Sequence, residues 1–125
     1  MSYKNILFID DDSDDAEIFV EAVNSLQKGI ICQTANNALK AFEELKTTEN
    51  LPDFIFVDFS MPVLNGAVFI QKMKEEDRLK NIPVILMSTH TAEVMCKMTK
   101  EFDVMHYITK PNSFQELVLL LDEIL

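Results

Sequence analysis

The chain has 125 residues, 21 of them acidic and 11 basic, for a formal net charge of −10, and this is the length of one domain. Hydrophobic residues make up 48% and charged residues 26%, which is enough apolar material for a core and excludes a disordered acidic tail. Ten Lys and one Arg against that acidic excess leave no basic stripe, so neither nucleic acid nor an anionic membrane surface is an expected partner.

Along the chain, short runs rich in β-branched and aromatic residues alternate with longer segments whose apolar residues return every three or four positions. Asn5 to Ile9 reads as a first strand. Asp14 to Gln27 reads as a first helix, capped by Ser13 and with Asp14, Asp15 and Glu17 in its positive first turn. A strand at Gly29 to Gln33 and a helix at Asn37 to Lys46 follow, then a strand at Phe54 to Val57 and a helix at Ala67 to Arg78. Pro83 opens a fourth strand, Val84 to Met87, where a missing donor is tolerated, and Ala92 to Glu101 follows as a helix. Met105 to Ile108 and Ser113 to Ile124 complete five strand–helix units. Ile6 to Ile9, Phe54 to Val57 and Val84 to Met87 are apolar at consecutive positions, the pattern of strands covered on both faces. The expected fold is α/β, a doubly wound five-stranded parallel sheet with five helices, filling residues 1–125 as one domain.

No apolar run is long enough to span a bilayer and no signal-peptide stretch precedes the acidic residues at Asp10, so a cytoplasmic protein is expected. Cys32 and Cys96 lie far apart without partners at ligand spacing, and His90 and His106 also lack them; no zinc site or disulfide framework is indicated.

In an open parallel sheet the loops after the strands' carboxyl ends gather at one edge, where ligands bind. There stand Asp10, Asp11 and Asp12 after the first strand, Asp58 after the third, Ser88 and Thr89 after the fourth, and Lys110 and Pro111 after the fifth. Residues 10–21 hold Asp10, Asp11, Asp12, Asp14, Asp15, Glu17 and Glu21 without a Lys or Arg, and so supply seven of the ten net negative charges. Helix capping and the helix dipole account for Asp14 and Asp15, but Asp10 and Asp11 precede the helix and repel Asp58. A hard divalent cation with oxygen ligands, Mg²⁺ rather than Zn²⁺, relieves that repulsion, and Mg²⁺ with the Lys110 ammonium balances the three carboxylates. Beside a metal, an Asp carboxylate is a nucleophile for phosphoryl groups, and Ser88 is placed to donate to a phosphoryl oxygen.

Ile6-Leu7-Phe8-Ile9-Asp10-Asp11-Asp12, Val57-Asp58-Phe59-Ser60-Met61-Pro62 with Gly66 after it, Pro83-Val84-Ile85-Leu86-Met87-Ser88 and Tyr107-Ile108-Thr109-Lys110-Pro111 occur in that order. As an ordered set over nearly the whole chain, they resemble the receiver domain of two-component response regulators, of the single-domain CheY-like kind. The resemblance implies a flavodoxin-like fold with strand order 2-1-3-4-5. It implies Asp58 as phosphoacceptor, and Asp10, Asp11, Asp58 and the backbone carbonyl of Ser60 as the Mg²⁺ site, with Asp10 acting mainly through water. It further implies Ser88 and Tyr107 as switch residues, Lys110 as the essential lysine, and a cis bond between Lys110 and Pro111. The implied donor is a sensor histidine kinase or phosphotransfer protein. The implied output is docking to a downstream protein, or homodimerisation, on the face of the fourth helix, fifth strand and fifth helix, where Met95, Met98, Met105 and Leu117 to Leu121 stand. Such a protein catalyses only its own phosphorylation and dephosphorylation.

Some positions depart from the family pattern. Thr89 replaces the usual Ala or Gly after the switch hydroxyl, Ser60 and His90 line the expected water entrance, and Asp103-Val104 stands where Gly-Ala is common. Ser60, Thr89 and His90 are therefore candidates for tuning access to the acceptor. An Asp-nucleophile phosphatase is the less favoured reading because Asp58-Phe59-Ser60 lacks a second Asp, and a flavin carrier because the carboxylates would repel an anionic cofactor.

Overall fold

The computed structural model describes residues 5–58, 66–88 and 106–125. In chain order the elements are β1 (Asn5–Ile9), α1 (Ser13–Ser25), β2 (Ile31–Ala35), α2 (Ala38–Thr47), β3 (Phe54–Asp58), α3 (Gly66–Lys74), β4 (Val84–Ser88), β5 (His106–Thr109) and α4 (Phe114–Ile124). Thus α4 is the last of the five helices expected. The one expected at 92–101 lies outside the described residues, as do Ser60, Thr89, His90, Met95, Cys96, Met98, Asp103, Val104 and Met105.

The five strands form one parallel sheet in the order β2-β1-β3-β4-β5. The order reverses between β1 and β3, so the connections leaving these two strands run to opposite sides and open a crevice at their carboxyl ends. Along each strand, residues alternate between two apolar layers. Ile9, Ile55, Val57, Val84 and Leu86 pack with Phe42, Leu45, Phe69, Ile70 and Met73 of α2 and α3. Ile6, Phe8, Phe56, Ile85, Met87 and Ile108 pack with Phe19, Ala22 and Val23 of α1 and with Leu117 and Leu121 of α4. Both faces being covered explains the unbroken apolar runs, since a strand side chain pointing either way enters a core.

Local chemistry sets the element ends, and it corrects several expectations. Asp12, not Ser13, is the N-cap of α1: its carboxylate accepts from the amides of Asp14 at 2.9 Å and Asp15 at 3.3 Å. Asn37 and Ser113 cap α2 and α4 in the same manner, through the amides of Lys40 and Glu116. Helix α1 stops at Ser25, because Gln27 and Gly29 take left-handed backbone angles with φ 53° and 71°. Gly29 in that conformation cannot begin a strand, so β2 starts two residues later than expected, at Ile31.

Helix α3 ends at Lys74 instead of Arg78. The amides of Glu75 and Glu76 bond three residues back, to Lys72 and Met73, which tightens the last turn. Arg78 then reaches across to α2, donating to the carbonyls of Leu45 at 3.2 Å, Lys46 at 2.7 Å and Thr48. These carbonyls lie at the helix's negative end and have no further turn to bond to. The Lys110–Pro111 bond is trans, contrary to the cis bond the resemblance implied, as no peptide among the described residues is cis. Trans is the lower-energy isomer before proline by about 0.5–1 kcal/mol.

The ring of Phe19 is the hinge of the layer under α1. It stacks on Phe8 at a centroid distance of 4.1 Å and meets Phe56 edge-on at 5.0 Å. Phe19→Ala is expected to cost about 3–5 kcal/mol in a urea unfolding curve, because its two ring neighbours, both held on strands, cannot collapse into the space.

Candidate functional site

The carboxyl ends of four strands bring the chemistry together. Asp58 is the last residue of β3 and keeps the alternation phase of Phe56; Asp10 and Lys110, one residue beyond β1 and β5, keep that of Phe8 and Ile108. Three polar side chains therefore continue the apolar layer that covers α1 and α4, at the edge where that layer meets solvent.

Asp10 is 1% exposed and Asp58 5%. The amide of Asp10 extends the β1–β2 ladder by bonding to the carbonyl of Ala35 at 3.0 Å, which fixes its backbone. Its Oδ1 accepts from the amide of Asp12 at 3.0 Å, and its carboxyl group also hydrogen-bonds Asp58. Burial pushes the Asp10 carboxyl up from its ordinary 3.8 to about 6; the Asp12 amide opposes the rise, the Asp58 charge adds to it, Lys110 opposes it, and the bond to Asp58 adds again.

The Lys110 ammonium is the cation of this edge. Its Nζ lies 3.1 Å from Asp15, 3.3 Å from Asp10 and 3.7 Å from Asp58. Burial alone would lower its affinity for a proton, but the carboxylates of Asp58, Asp10 and Asp15 outweigh burial and raise it above the ordinary lysine value. Its backbone is fixed as well, since its amide donates to the carbonyl of Ser88 at 2.7 Å.

Of the residues expected at the site, the structure brings Asp10, Asp11, Asp58 and Lys110 together. Ser88 is fully buried at the end of β4, one residue past Met87, the register partner of Asp58. Tyr107 is half-buried against the layer under α2 and α3. Ser60, Thr89 and His90 lie outside the described residues. One member was missed: Asp15, read from sequence as a helix-dipole residue, is among the described residues the nearest carboxylate to the Lys110 amine. Its spacing carried the signal, because the first turn of a helix that starts directly after β1 overhangs the same edge.

Asp10, Asp11 and Asp58 offer carboxylate oxygens that all lie within 4.8 Å of one another, two from buried residues and one from an exposed residue. All-oxygen, anionic donors suit a hard divalent cation such as Mg²⁺, and the open side at Asp11 leaves room for the waters that ion retains. Zn²⁺ would want His or Cys, and neither is in this cluster. The donor set thus fits magnesium.

Because Asp10 is easier to protonate when folded than when unfolded, the native state binds the extra proton between about pH 4 and pH 6. Its burial therefore costs nothing below that window, and the cost grows as pH rises through it. In metal-free buffer, Asp10→Asn is expected to be more stable than the parent by about 1–3 kcal/mol at pH 7, with the gain gone at pH 4, in paired urea titrations. Magnesium should narrow the pH 7 gap by stabilising the parent alone.

The response regulator receiver domain profile matches residues 6–122. The sensor histidine kinase CheAY of Helicobacter pylori is 33% identical over 112 residues, covering 90% of this chain; the chain spans only 14% of that kinase's length. The crystal structure of the phosphorylated cyanobacterial phytochrome response regulator RcpA superposes with a TM-score of 0.86 at 24% identity, over 98% of this chain and 91% of that one. The receiver domain of the sensor histidine kinase PA1611 from Pseudomonas aeruginosa, with a magnesium ion coordinated in its active site cleft, gives 0.77 at 18% identity, over 98% and 97%. At those identities the two superpositions speak for the fold, and the profile match over nearly the full length speaks for the family: the chain belongs to the response regulator receiver domains of two-component signalling.

Proposed function

We propose that this protein accepts a phosphoryl group on Asp58 from a phosphohistidine of a sensor histidine kinase or phosphotransfer protein, and signals by phosphorylation-dependent docking to a downstream protein. One observation carries the reading most directly. A nearly buried carboxylate at a strand end has both an ammonium 3.7 Å away and an oxygen cluster suited to a divalent cation beside it.

In the transfer, an Asp58 Oδ forms a bond to phosphorus as the phosphorus–nitrogen bond to the donor imidazole breaks, and the imidazole leaves with that electron pair. Asp10, Asp11, Asp58 and the carbonyl of Ser60 would hold magnesium, which when bound would supply positive charge to the phosphoryl oxygens. Lys110 neutralises the charge that accumulates on the oxygen facing it, and its fixed backbone lets it do so with little rearrangement. The hydroxyl of Ser88 donates to a phosphoryl oxygen. That movement vacates space for Tyr107, which carries the change toward the face where β5 and α4 meet solvent. Docking of the downstream protein, or of a second copy, belongs to that face, where Leu119 is 67% exposed. Ser60, Thr89 and His90 set how readily water reaches the acyl phosphate.

In this reading the protein is a cytoplasmic signalling domain that turns over no substrate besides itself. Among the described residues no helix is long and apolar enough to cross a membrane.

Incubation with acetyl phosphate is expected to add one phosphoryl mass to the intact protein, only with Mg²⁺ present and not in Asp58→Asn. A wild-type protein that gains no mass from either acetyl phosphate or a phosphohistidine donor would sink the proposal. The chain has no Trp and two Tyr, Tyr3 and Tyr107, so a change in tyrosine emission that persists in Tyr3→Phe reports on Tyr107. Phosphorylation is expected to shift that emission in the wild type and to leave it unmoved in Ser88→Ala, which still takes the phosphoryl group.

A further inference from the structure

Among the described residues four carboxylates, not three, surround the site: Asp15 joins Asp10, Asp11 and Asp58. Its place in the fold sets it apart from the exposed acidic residues around it. Asp15 is in the first turn of α1, and its own amide is held by the Asp12 cap at 3.3 Å, so the carboxylate leaves from a fixed backbone. Its side chain remains 42% exposed, whereas that of Lys110, which it meets, is 22% exposed.

An ammonium has three N–H donors. Among the described residues, Lys110 uses hydrogen bonds to Asp15 at 3.1 Å and Asp10 at 3.3 Å, while Asp58 at 3.7 Å is within ion-pair reach but beyond a hydrogen bond. Two anchors thus fix the amine within ion-pair reach of the acceptor carboxylate. The lysine also has somewhere else to go. A cavity of about 250 Å³ opens beside it, lined by Phe8, Ile18, Met87, Phe114 and Leu117 as well as by Asp15 and Lys110. A four-carbon stem next to such a space has many rotamers, and an ammonium that explores them is absent from Asp58 for part of the time.

We propose that Asp15 is a positioning residue for Lys110: it ties the amine to the start of α1, keeping it out of the neighbouring cavity and within reach of charge developing at Asp58. This rests on Asp58 being the phosphoacceptor. Asp15 touches no reacting atom. It acts by restricting where the lysine can be, so its loss lowers the rate of the bound donor's transfer and leaves the donor's half-saturation concentration alone.

The test uses the full chain with acetyl phosphate and saturating Mg²⁺, measured as intact mass against time, beside acetylation of lysines by sulfo-N-hydroxysuccinimide acetate read peptide by peptide. Asp15→Ala is expected to slow the plateau transfer rate about five- to tenfold at unchanged half-saturation, and to speed Lys110 acetylation several-fold. Asp15→Glu, one methylene longer from the same helical position, should recover part of both. Asp14→Ala removes an equivalent charge from the same helix turn without touching Lys110, and is expected to match the wild type in both assays. The urea unfolding midpoint of each variant is the check on global opening. Wild-type transfer or wild-type Lys110 acetylation in Asp15→Ala overturns the proposal. So does an equal effect of Asp14→Ala, which would assign the change to helix charge. If Asp15→Ala also lowers that midpoint, Asp15→Glu decides instead, and identical Lys110 acetylation in it and the wild type at reduced transfer rate counts against the tether. Should the wild type itself take no phosphoryl group, the phosphoacceptor reading falls, while Lys110 acetylation still decides whether Asp15 holds the amine.

Discussion

Two carboxyl groups with exposures of 1% and 5%, close enough to hydrogen-bond, form the constraint on which the rest of this structure depends. Like charges in a region of low dielectric repel strongly, and a chain of this size has only a modest margin of stability with which to offset them. The molecule answers in three ways at once. A proton is retained more tightly on Asp10, an ammonium is brought in from β5, and a gap is left in which oxygen donors can receive a cation. A phosphoryl group arriving here meets positive charge that the carboxylates already attract, so the repulsion that costs stability is also what prepares the edge for its chemistry.

The sheet's layering explains how so polar a cluster survives. Phe8, Phe56 and Ile108 belong to one apolar layer, and Asp10, Asp58 and Lys110 each stand two residues further along the same strand direction. The change from apolar to charged falls at the same height on β1 and β3, where Ile9 pairs with Val57, and two residues later on β5, where Ile108 is level with Met87 and Asp58. The polar groups have one side on the core and the other toward solvent, which limits water access without abolishing it.

Much of this was legible before any coordinates. Doubly covered strands announced themselves as consecutive apolar residues, and strand ends could be read because Asp10, Asp58, Ser88 and Lys110 each close an apolar run. Illegible were the features set by competition between near-equivalent neighbours. Asp12 and Ser13 are both good caps, and only the path of the backbone leaving β1 decides for Asp12. The left-handed Gln27 could not be foreseen from a residue with no special tolerance for that conformation, and it moved the end of α1 and the start of β2 together. Asp15 was hidden differently. A carboxylate in a first helical turn always has a sufficient local explanation in the dipole, so pattern alone gives no reason to look for a partner 95 residues away.

The lone arginine offers a different view of the molecule. Arg78 directs its guanidinium to three carbonyls at the end of α2 and pairs there with backbone, while the residue after it, Leu79, is wholly buried. The Arg78–Leu79 peptide is the chain's one bond open to an arginine-specific protease, and it is locked on both sides. Cutting there requires α2's last turn to let go and Leu79 to leave the core, so the appearance of two fragments measures how often the α2–α3 half of the domain opens. The fold therefore contains a built-in clock for its own breathing, sited away from the acidic edge.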